Sequence, residues 1–227
     1  MKPERAVIEV RDLVAGYGTT PIIENISFDI DPGEIFVILG GSGCGKSTLL
    51  KHMIGLLPPL SGDVIIQGEN LVKAQGEERT RILQNIGVAF QSGALFGSMT
   101  VLENVMLPLK EFTTLPETLM DGTARVKLGL VGLEAAADRM PGELSGGMVK
   151  RAALARAMAL DPAIVFLDEP SAGLDPVTSA ALDQLIMDLA QGLSITFVIV
   201  THELASIEAI ADRVIMLEKQ SRSIIAR

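Results

Sequence analysis

Two patterns of apolar positions run through the first forty residues. Between residues 7 and 30, apolar and polar side chains alternate in two runs that are separated by residues 15–20. Such alternation is typical of antiparallel strands with one face in water. Residues 35–39 are continuously apolar, as expected of a strand that is buried on both faces. The pattern therefore predicts an antiparallel sheet beside a core of parallel strands.

Three later apolar runs predict further parallel strands. They cover residues 86–90, 164–167 and 195–200. Polar side chains follow their carboxyl ends, namely Gln91, Asp168, Glu169 and His202. Because ligands of open α/β sheets bind at the carboxyl ends of the strands, these four residues are candidates for a binding site.

Helical patterns fill much of the remaining chain. We predict helices at residues 47–56, 117–130, 146–160, 179–189 and 203–211. No strand pattern occurs between residues 92 and 160, where Pro108 and Pro116 flank a short segment. We therefore expect one domain over residues 1–227, with an α/β core formed by residues 1–91 and 161–227 and an inserted helical lobe at 92–160.

The composition narrows the range of partners. Lys and Arg number 19 against 28 Asp and Glu, a net charge of −9, so the overall field repels nucleic acid and no nucleic-acid partner is expected. Cys44 is the only cysteine, which excludes an internal disulfide and fits a reducing, cytosolic setting. The apolar runs are far shorter than the roughly 20 residues that cross a bilayer. We expect the chain to enter no membrane by itself.

A glycine-rich segment follows the strand at residues 35–39 and precedes a predicted helix. Its residues are Gly40, Gly41, Ser42, Gly43, Cys44, Gly45, Lys46 and Ser47. In that context the glycines let consecutive N–H groups point at a phosphate, and the helix adds its positive end. Lys46 would neutralise phosphate oxygens, Ser47 would bind Mg²⁺, and Thr48 is expected to assist. The segment predicts a nucleoside triphosphate site.

The strand-end residues add the groups that hydrolysis needs. Asp168 is predicted to hold Mg²⁺ and Glu169 to orient or deprotonate the attacking water. His202 is expected to contact the γ-phosphate or the water, and Gln91 to bind Mg²⁺ or water without adding charge. Tyr17, the only tyrosine, is a candidate for stacking on adenine, although a tyrosine covering a strand surface would fit its spacing nearly as well.

A second candidate anion site lies at residues 144–148. Ser145 is placed to cap a helix, and Gly146 and Gly147 follow it. One nucleotide does not need two phosphate cradles from one chain, so we expect this second cradle to close over a nucleotide held by another copy in a two-fold dimer. A simple helix cap is the alternative explanation.

These segments together resemble the motifs of ATP-binding cassette ATPases over nearly the whole chain. Residues 40–47 look like the Walker A motif, Gln91 like the Q-loop, residues 144–148 like the signature motif and residues 164–169 like Walker B. Residues 171–175, which end at Asp175, look like the D-loop, and His202 looks like the switch histidine. The resemblance implies a P-loop NTPase core, ATP and Mg²⁺ as cofactors, and Asp175 near the nucleotide.

Within that family, residues 91–96 and 100–105 are similar to ATPases of lipid-asymmetry (Mla-type) transporters. That resemblance implies phospholipid or other apolar cargo, an integral permease, an MCE-domain lipid-binding partner and a location on the cytoplasmic face of the inner membrane. A transporter for amino acids, ions or lipoproteins is an alternative, and a soluble ATPase that remodels nucleic acid or ribosomes is another.

Two features depart from the family pattern. Met148 stands where most members carry glutamine, so only Ser145 and the backbone contacts of the signature carry over. Residues 219–223 differ from the usual glycine turn, and relatives continue beyond the point where this chain stops. We therefore expect a shortened or atypical tail.

Overall fold

Ten strands and seven α-helices make up residues 6–226, the part of the chain that the computed structural model describes. The strands are β1 (Ile8–Tyr17), β2 (Thr20–Ile30), β3 (Ile35–Gly40), β4 (Ser61–Ile66), β5 (Glu69–Asn70), β6 (Ile86–Ala89), β7 (Ile164–Asp168), β8 (Thr196–Thr201), β9 (Arg213–Glu218) and β10 (Ser223–Ala226). The helices are α1 (Lys46–Met53), α2 (Gly76–Gln84), α3 (Val101–Phe112), α4 (Glu117–Leu130), α5 (Gly146–Ala157), α6 (Pro176–Leu193) and α7 (Leu204–Ile210).

The strands form two sheets. β1 to β5, apart from β3, build an antiparallel sheet in the order β2-β1-β4-β5. The second sheet has the order β10-β9-β3-β8-β7-β6, and all its neighbours are parallel except β10 and β9. The predicted fold class, an α/β P-loop core with an N-terminal antiparallel part, is confirmed. The carboxyl ends of β3, β8, β7 and β6 all meet at one edge.

The mainly parallel sheet separates two apolar cores. Alternate residues of β3 point to opposite faces, so Phe36 and Ile38 pack with the antiparallel sheet, α1 and α2. Ile35 and Val37 pack on the other face with helices α3 to α7. Because both faces of the central strands are covered, β3 and β8 are continuously apolar rather than alternating.

Three consecutive helices, α3, α4 and α5, lie between β6 and β7 along the chain. The predicted helices at 117–130 and 146–160 correspond to α4 and α5. The apolar pattern did not reveal α3, which continues through Pro108. Its start is nevertheless marked by a capping box, in which Thr100 and Glu103 bond each other's backbone N–H groups.

The helices carry no transmembrane signal. Over residues 6–226, no helix combines the length and the apolarity that crossing a membrane requires. Residues 219–222 of the tail form the turn between β9 and β10, where Arg222 adopts a positive φ of 52° without a glycine. The turn is anchored by an ion pair of 2.7 Å between Arg222 and Glu24 of β2.

Candidate nucleotide site

The glycine-rich segment forms the connection between β3 and α1. Gly40 ends the strand, the residues from Gly41 to Gly45 form the loop, and Lys46, Ser47 and Thr48 open the helix. Gly45 caps α1 at a φ of 104°, and a Cβ there would lie 2.9 Å from the Ile23 side chain. Only glycine combines this backbone conformation with so close an approach. The loop therefore leaves the N-terminus of α1 open for an anion.

Lys46 lies across this loop and is 7 % exposed. Its ammonium donates to the carbonyl oxygens of Gly40 at 2.7 Å and Gly41 at 3.3 Å. It also lies 3.8 Å from a carboxylate oxygen of Glu169. The cation is thus fixed between the phosphate loop and the carboxyl end of β7.

Ser47 and Asp168 provide a pair of oxygens at the same edge. The Ser47 hydroxyl donates to the Asp168 carboxylate at 3.1 Å. Burial raises the pKa of Asp168, and the hydrogen bond from Ser47 opposes that shift. Residues 6–226 contain no cluster of three His, Cys, Asp or Glu side chains suited to a metal. Mg²⁺ needs none, because it takes one or two protein oxygens and completes its shell with phosphate and water, so this pair fits the predicted ion.

Glu169 points away from Asp168 and towards His202. Its carboxylate oxygens lie 2.8 and 2.9 Å from Nδ1 of His202, whose side chain is 58 % exposed. Glu169 has a φ of 49°, and its N–H donates to the carbonyl of Val200 in β8. The two adjacent acids therefore face different partners, as predicted from their position at a strand end.

Tyr17 lies at the end of β1 and is 48 % exposed. Its hydroxyl is 3.5 Å from the hydroxyl of Thr48, so the ring stands beside the start of α1. The preceding residue, Gly16, is held by the buried His52, whose Nε2 accepts from the Gly16 N–H at 3.1 Å. His52 thus fixes the hairpin next to Tyr17.

The second candidate cradle forms the N-terminus of α5. Ser145 caps this helix by accepting from the Met148 N–H at 3.3 Å, and Ser145 and Gly146 are exposed. A Cβ on Gly147 would lie 2.6 Å from the Thr178 methyl group of α6, so only glycine allows this packing. Asp175 caps α6 through the N–H groups of Val177 and Thr178, which occupies its carboxylate locally.

Gln91 and Lys150 lie at the same edge of the parallel sheet, and the sequence analysis did not identify Lys150. The exposed Gln91 side chain finds no hydrogen-bond partner within residues 6–226. Its backbone carbonyl accepts from the Lys150 ammonium at 2.6 Å, and the carbonyl of Glu169 accepts from the same ammonium at 3.0 Å. No spacing rule identifies Lys150, because its partners are 59 and 19 residues away in the chain.

A glycine-rich loop between a parallel strand and a helix, with Lys46, Ser47 and two strand-end acids beside it, defines a P-loop nucleotide-binding fold. Comparison with known families assigns the chain more narrowly. It belongs to the ABC transporter family, which matches residues 23–172.

Curated relatives include two kinds of transport ATP-binding protein. The probable ribonucleotide transport ATP-binding protein Mkl of Mycobacterium leprae is 45% identical over 95% of this chain and 62% of the relative. The intermembrane phospholipid transport system ATP-binding protein MlaF of Escherichia coli K12 is 42% identical over 91% of this chain and 77% of the relative. The chain thus spans less than two thirds of the length of the Mkl proteins.

Solved structures share the whole architecture. CbiO1 from Clostridium perfringens, part of the ABC transporter complex cbiONQ, superposes with a TM-score of 0.88 at 29% identity, covering 98% of this chain and 88% of CbiO1. A dimeric ATP-binding cassette in a post-hydrolysis state with ADP and Pi gives a TM-score of 0.86 at 30% identity, with 96% of both chains covered.

Proposed function

We propose that this chain is the ATP-hydrolysing subunit of a membrane transporter. The observation that carries the proposal is the Glu169 carboxylate, which is held between the Lys46 ammonium and the His202 ring at the end of β7. A carboxylate in that place can accept a proton from a water that attacks the γ-phosphate. The relatives named as transport ATP-binding proteins support the assignment.

Each residue at the sheet edge receives a role in this proposal. The backbone of residues 40–45 and Lys46 bind the phosphates, and Tyr17 stacks on adenine. Ser47, Asp168 and Gln91 would hold Mg²⁺, which would neutralise the negative charge of the phosphates. Glu169 takes the proton, and His202 orients the water and the γ-phosphate.

The open cradle at α5 leads us to propose a dimer. Ser145, Gly146 and Gly147 would close over the nucleotide bound by a second copy, and Asp175 would lie at the same interface. The exposure of Ser145 and Gly146 supports this, because the chain itself leaves these groups uncovered. The dimeric ATP-binding cassette structure supports it independently. A two-fold dimer would then enclose two nucleotides.

The segment at residues 92–160 is proposed as a helical lobe that docks on a permease. Notably, the apolar residues between 95 and 107 are mostly packed inside, and Val101, Leu102, Val105 and Met106 are buried. Phe96 is 51 % exposed, and both its backbone groups bond the buried Asn104 side chain. An exposed aromatic ring on a fixed backbone suits contact with a permease on the cytoplasmic face of an inner membrane.

Phospholipid is the cargo that we favour, with an MCE-domain protein as a further partner, because MlaF relatives carry that function in their names. Ribonucleotide transport is the second candidate, favoured by the Mkl relatives. Because the permease selects the cargo, the test needs this chain purified together with its membrane partner. An assay of lipid transfer between vesicles then distinguishes phospholipid from ribonucleotide as the cargo. Transfer that depends on ATP favours phospholipid.

Glu169→Gln tests the ATPase itself. We expect turnover to fall by at least roughly a hundredfold, because an amide cannot accept the proton. Binding of Mg·ATP should persist, since Lys46 and Ser47 are unchanged. The measurements are phosphate release, equilibrium nucleotide binding and size-exclusion chromatography, where the variant should form a dimer with ATP and remain a monomer with ADP.

Glu208→Gln, an exposed acid on α7, is the matched control and should behave as wild type. Wild-type turnover in the Glu169→Gln variant would remove Glu169 from its role. A variant that binds Mg·ATP but stays monomeric at every concentration would contradict the shared site.

A further inference from the structure

Lys150 occupies a position that none of the recognised motifs explains. It lies on α5, five residues after the Ser145 cap, and points towards the parallel sheet rather than towards solvent. Its ammonium donates to the carbonyl of Gln91 at 2.6 Å and to that of Glu169 at 3.0 Å. Burial lowers the pKa of this ammonium. One half-buried cation therefore joins the backbones of two proposed site residues.

Those two carbonyls follow neighbouring parallel strands. Gln91 comes after β6 and Glu169 comes directly after β7, which pair in register. Glu169 has a positive φ of 49°, a conformation that is unfavourable for a residue with a side chain. Its N–H is fixed by Val200 and its carbonyl by Lys150. These two bonds hold the backbone that aims the Glu169 carboxylate.

The same helix also holds the segment that follows Gln91. Arg156, six residues further along α5, donates to the carbonyls of Gly93 and Ala94 at 2.9 and 2.8 Å. The segment from Gln91 to Ala94 is therefore attached to α5 at three backbone positions. Lys150 differs from Arg156 because it alone of the two also reaches Glu169.

We propose that Lys150 is a positioning residue for hydrolysis, which keeps Gln91 and Glu169 in place relative to each other and to the N-terminus of α5. The inference rests on the proposed ATPase function. When Ser145 at the start of α5 engages a nucleotide on the second copy, a shift of this helix acts directly on the backbones of both residues. Lys150 acts through the backbone carbonyls of Glu169 and Gln91.

Lys150→Met tests the inference, because methionine keeps the unbranched apolar stem and removes all three donors. We expect kcat to fall at least roughly tenfold, while the Kd of the monomer for Mg·ATP stays within about twofold. Lys150→Arg should recover most of the activity, since a guanidinium can donate to both carbonyls. Phosphate release and nucleotide titration give these values.

Lys127→Met is the matched control for loss of a buried lysine. Lys127 is buried on α4, and its ammonium bonds Asp161 on the loop after α5. Within residues 6–226, it has no hydrogen bond or ion pair to a residue of the nucleotide site. This variant should lower the melting temperature at least as much as Lys150→Met and leave kcat of the folded protein unchanged. Equal losses of kcat in the two variants would overturn the inference.

The design separates this inference from the proposed function. Suppose that the wild-type protein hydrolyses ATP, that Glu169→Gln abolishes this activity and that Lys150→Met keeps turnover within twofold of wild type. These results would overturn the positioning role of Lys150 and leave the proposed ATPase function intact. Failure of Lys150→Arg to recover activity also counts against it. Wild-type protein that binds Mg·ATP without hydrolysing it overturns the proposed function, and this inference falls with it.

Discussion

The phosphate loop and the N-terminus of α5 are both helix starts that can bind an anion, yet the chain supports them differently. At the loop, Lys46 is buried and bonded to two carbonyls, and Ser47 is bonded to Asp168. At α5, Ser145 and Gly146 are exposed, and the Ser145 hydroxyl accepts from the N–H of Met148 in its own first turn. These contacts support our proposal that one chain completes the first cradle, whereas the second cradle serves a nucleotide bound by another copy.

The same difference separates the roles that we propose. In our proposal, the first cradle takes its cation and one Mg²⁺ ligand from the start of α1, and a second Mg²⁺ ligand and the general base from the end of β7. It should therefore bind nucleotide as a monomer. The second cradle has a cap and backbone N–H groups without a nearby cation in its first turn. It should therefore contribute after the nucleotide is bound. Changes in the two regions should affect different steps.

Lys46→Met is expected to have the largest effect on nucleotide binding. Removing the ammonium takes away charge-assisted hydrogen bonds to phosphate, each worth about 1.5–3 kcal/mol. A loss of about 2–3 kcal/mol corresponds to a roughly 30- to 150-fold rise in Kd. Titration of the monomer with Mg·ATP measures it.

Lys73→Met serves as the control, because Lys73 is exposed and pairs with Asp63 on the antiparallel sheet. Its Kd should equal that of wild type. If Lys46→Met binds Mg·ATP as tightly as this control, the first cradle is not the nucleotide site, and the contrast between the two regions disappears.

The sequence was most informative at the first cradle, for a physical reason. Apolar runs such as β3 and β7 are local signals, and the strand ends carry Lys46, Asp168 and Glu169 within a few residues of those runs. Parallel pairing then brings them to one edge. The mixed sheet and the helices α4 and α5 were predictable on the same basis.

Contacts that depend on tertiary packing were not predictable. In the sequence, Lys150 looks like an ordinary lysine on the surface of a helix. Only the folded chain brings its ammonium to the carbonyls that follow β6 and β7. α3 was missed because Pro108 obscures its pattern, although the pair Thr100 and Glu103 marks its start. The carboxylate of Asp175 caps its own helix, a local role that its resemblance to the D-loop does not specify.

Ser145→Ala should produce a smaller change, confined to the second cradle. Losing the cap costs about 1 kcal/mol of stability. The monomer should bind Mg·ATP as before, while kcat falls by roughly fivefold to tenfold, because one donor to the nucleotide of the other copy is gone. Thermal melting, nucleotide titration and phosphate release separate these effects.

Thr100→Ala is the matched control, since it removes the cap of α3 in the same part of the chain. It should cost similar stability and leave turnover of the folded protein intact. If Thr100→Ala loses as much turnover as Ser145→Ala, the loss in both variants results from lower stability. The second cradle would then be only a helix cap.

Asp183→Asn should have the smallest effect and tests the support beneath the second cradle. Asp183 lies on α6, which packs against Gly147, and it is 5 % exposed with Oδ1 unpaired in the described structure. Burial raises the pKa of Asp183, and a hydrogen bond from Ser206 opposes that shift. Between the ordinary aspartate pKa and the raised value, the folded protein binds a proton more readily than the unfolded chain. Wild type therefore loses stability as pH rises through this window.

The asparagine variant lacks this titration, so its free energy of unfolding relative to that of wild type should rise as pH increases through this window. Urea unfolding at several pH values measures the difference. Asp188→Asn, an exposed acid on the same helix that accepts from Gln184, should show no such trend. If the free energy of unfolding of Asp183→Asn differs from that of wild type by the same amount at every pH, the Asp183 carboxylate does not titrate in the folded protein. In that case α6 supports the second cradle through packing alone.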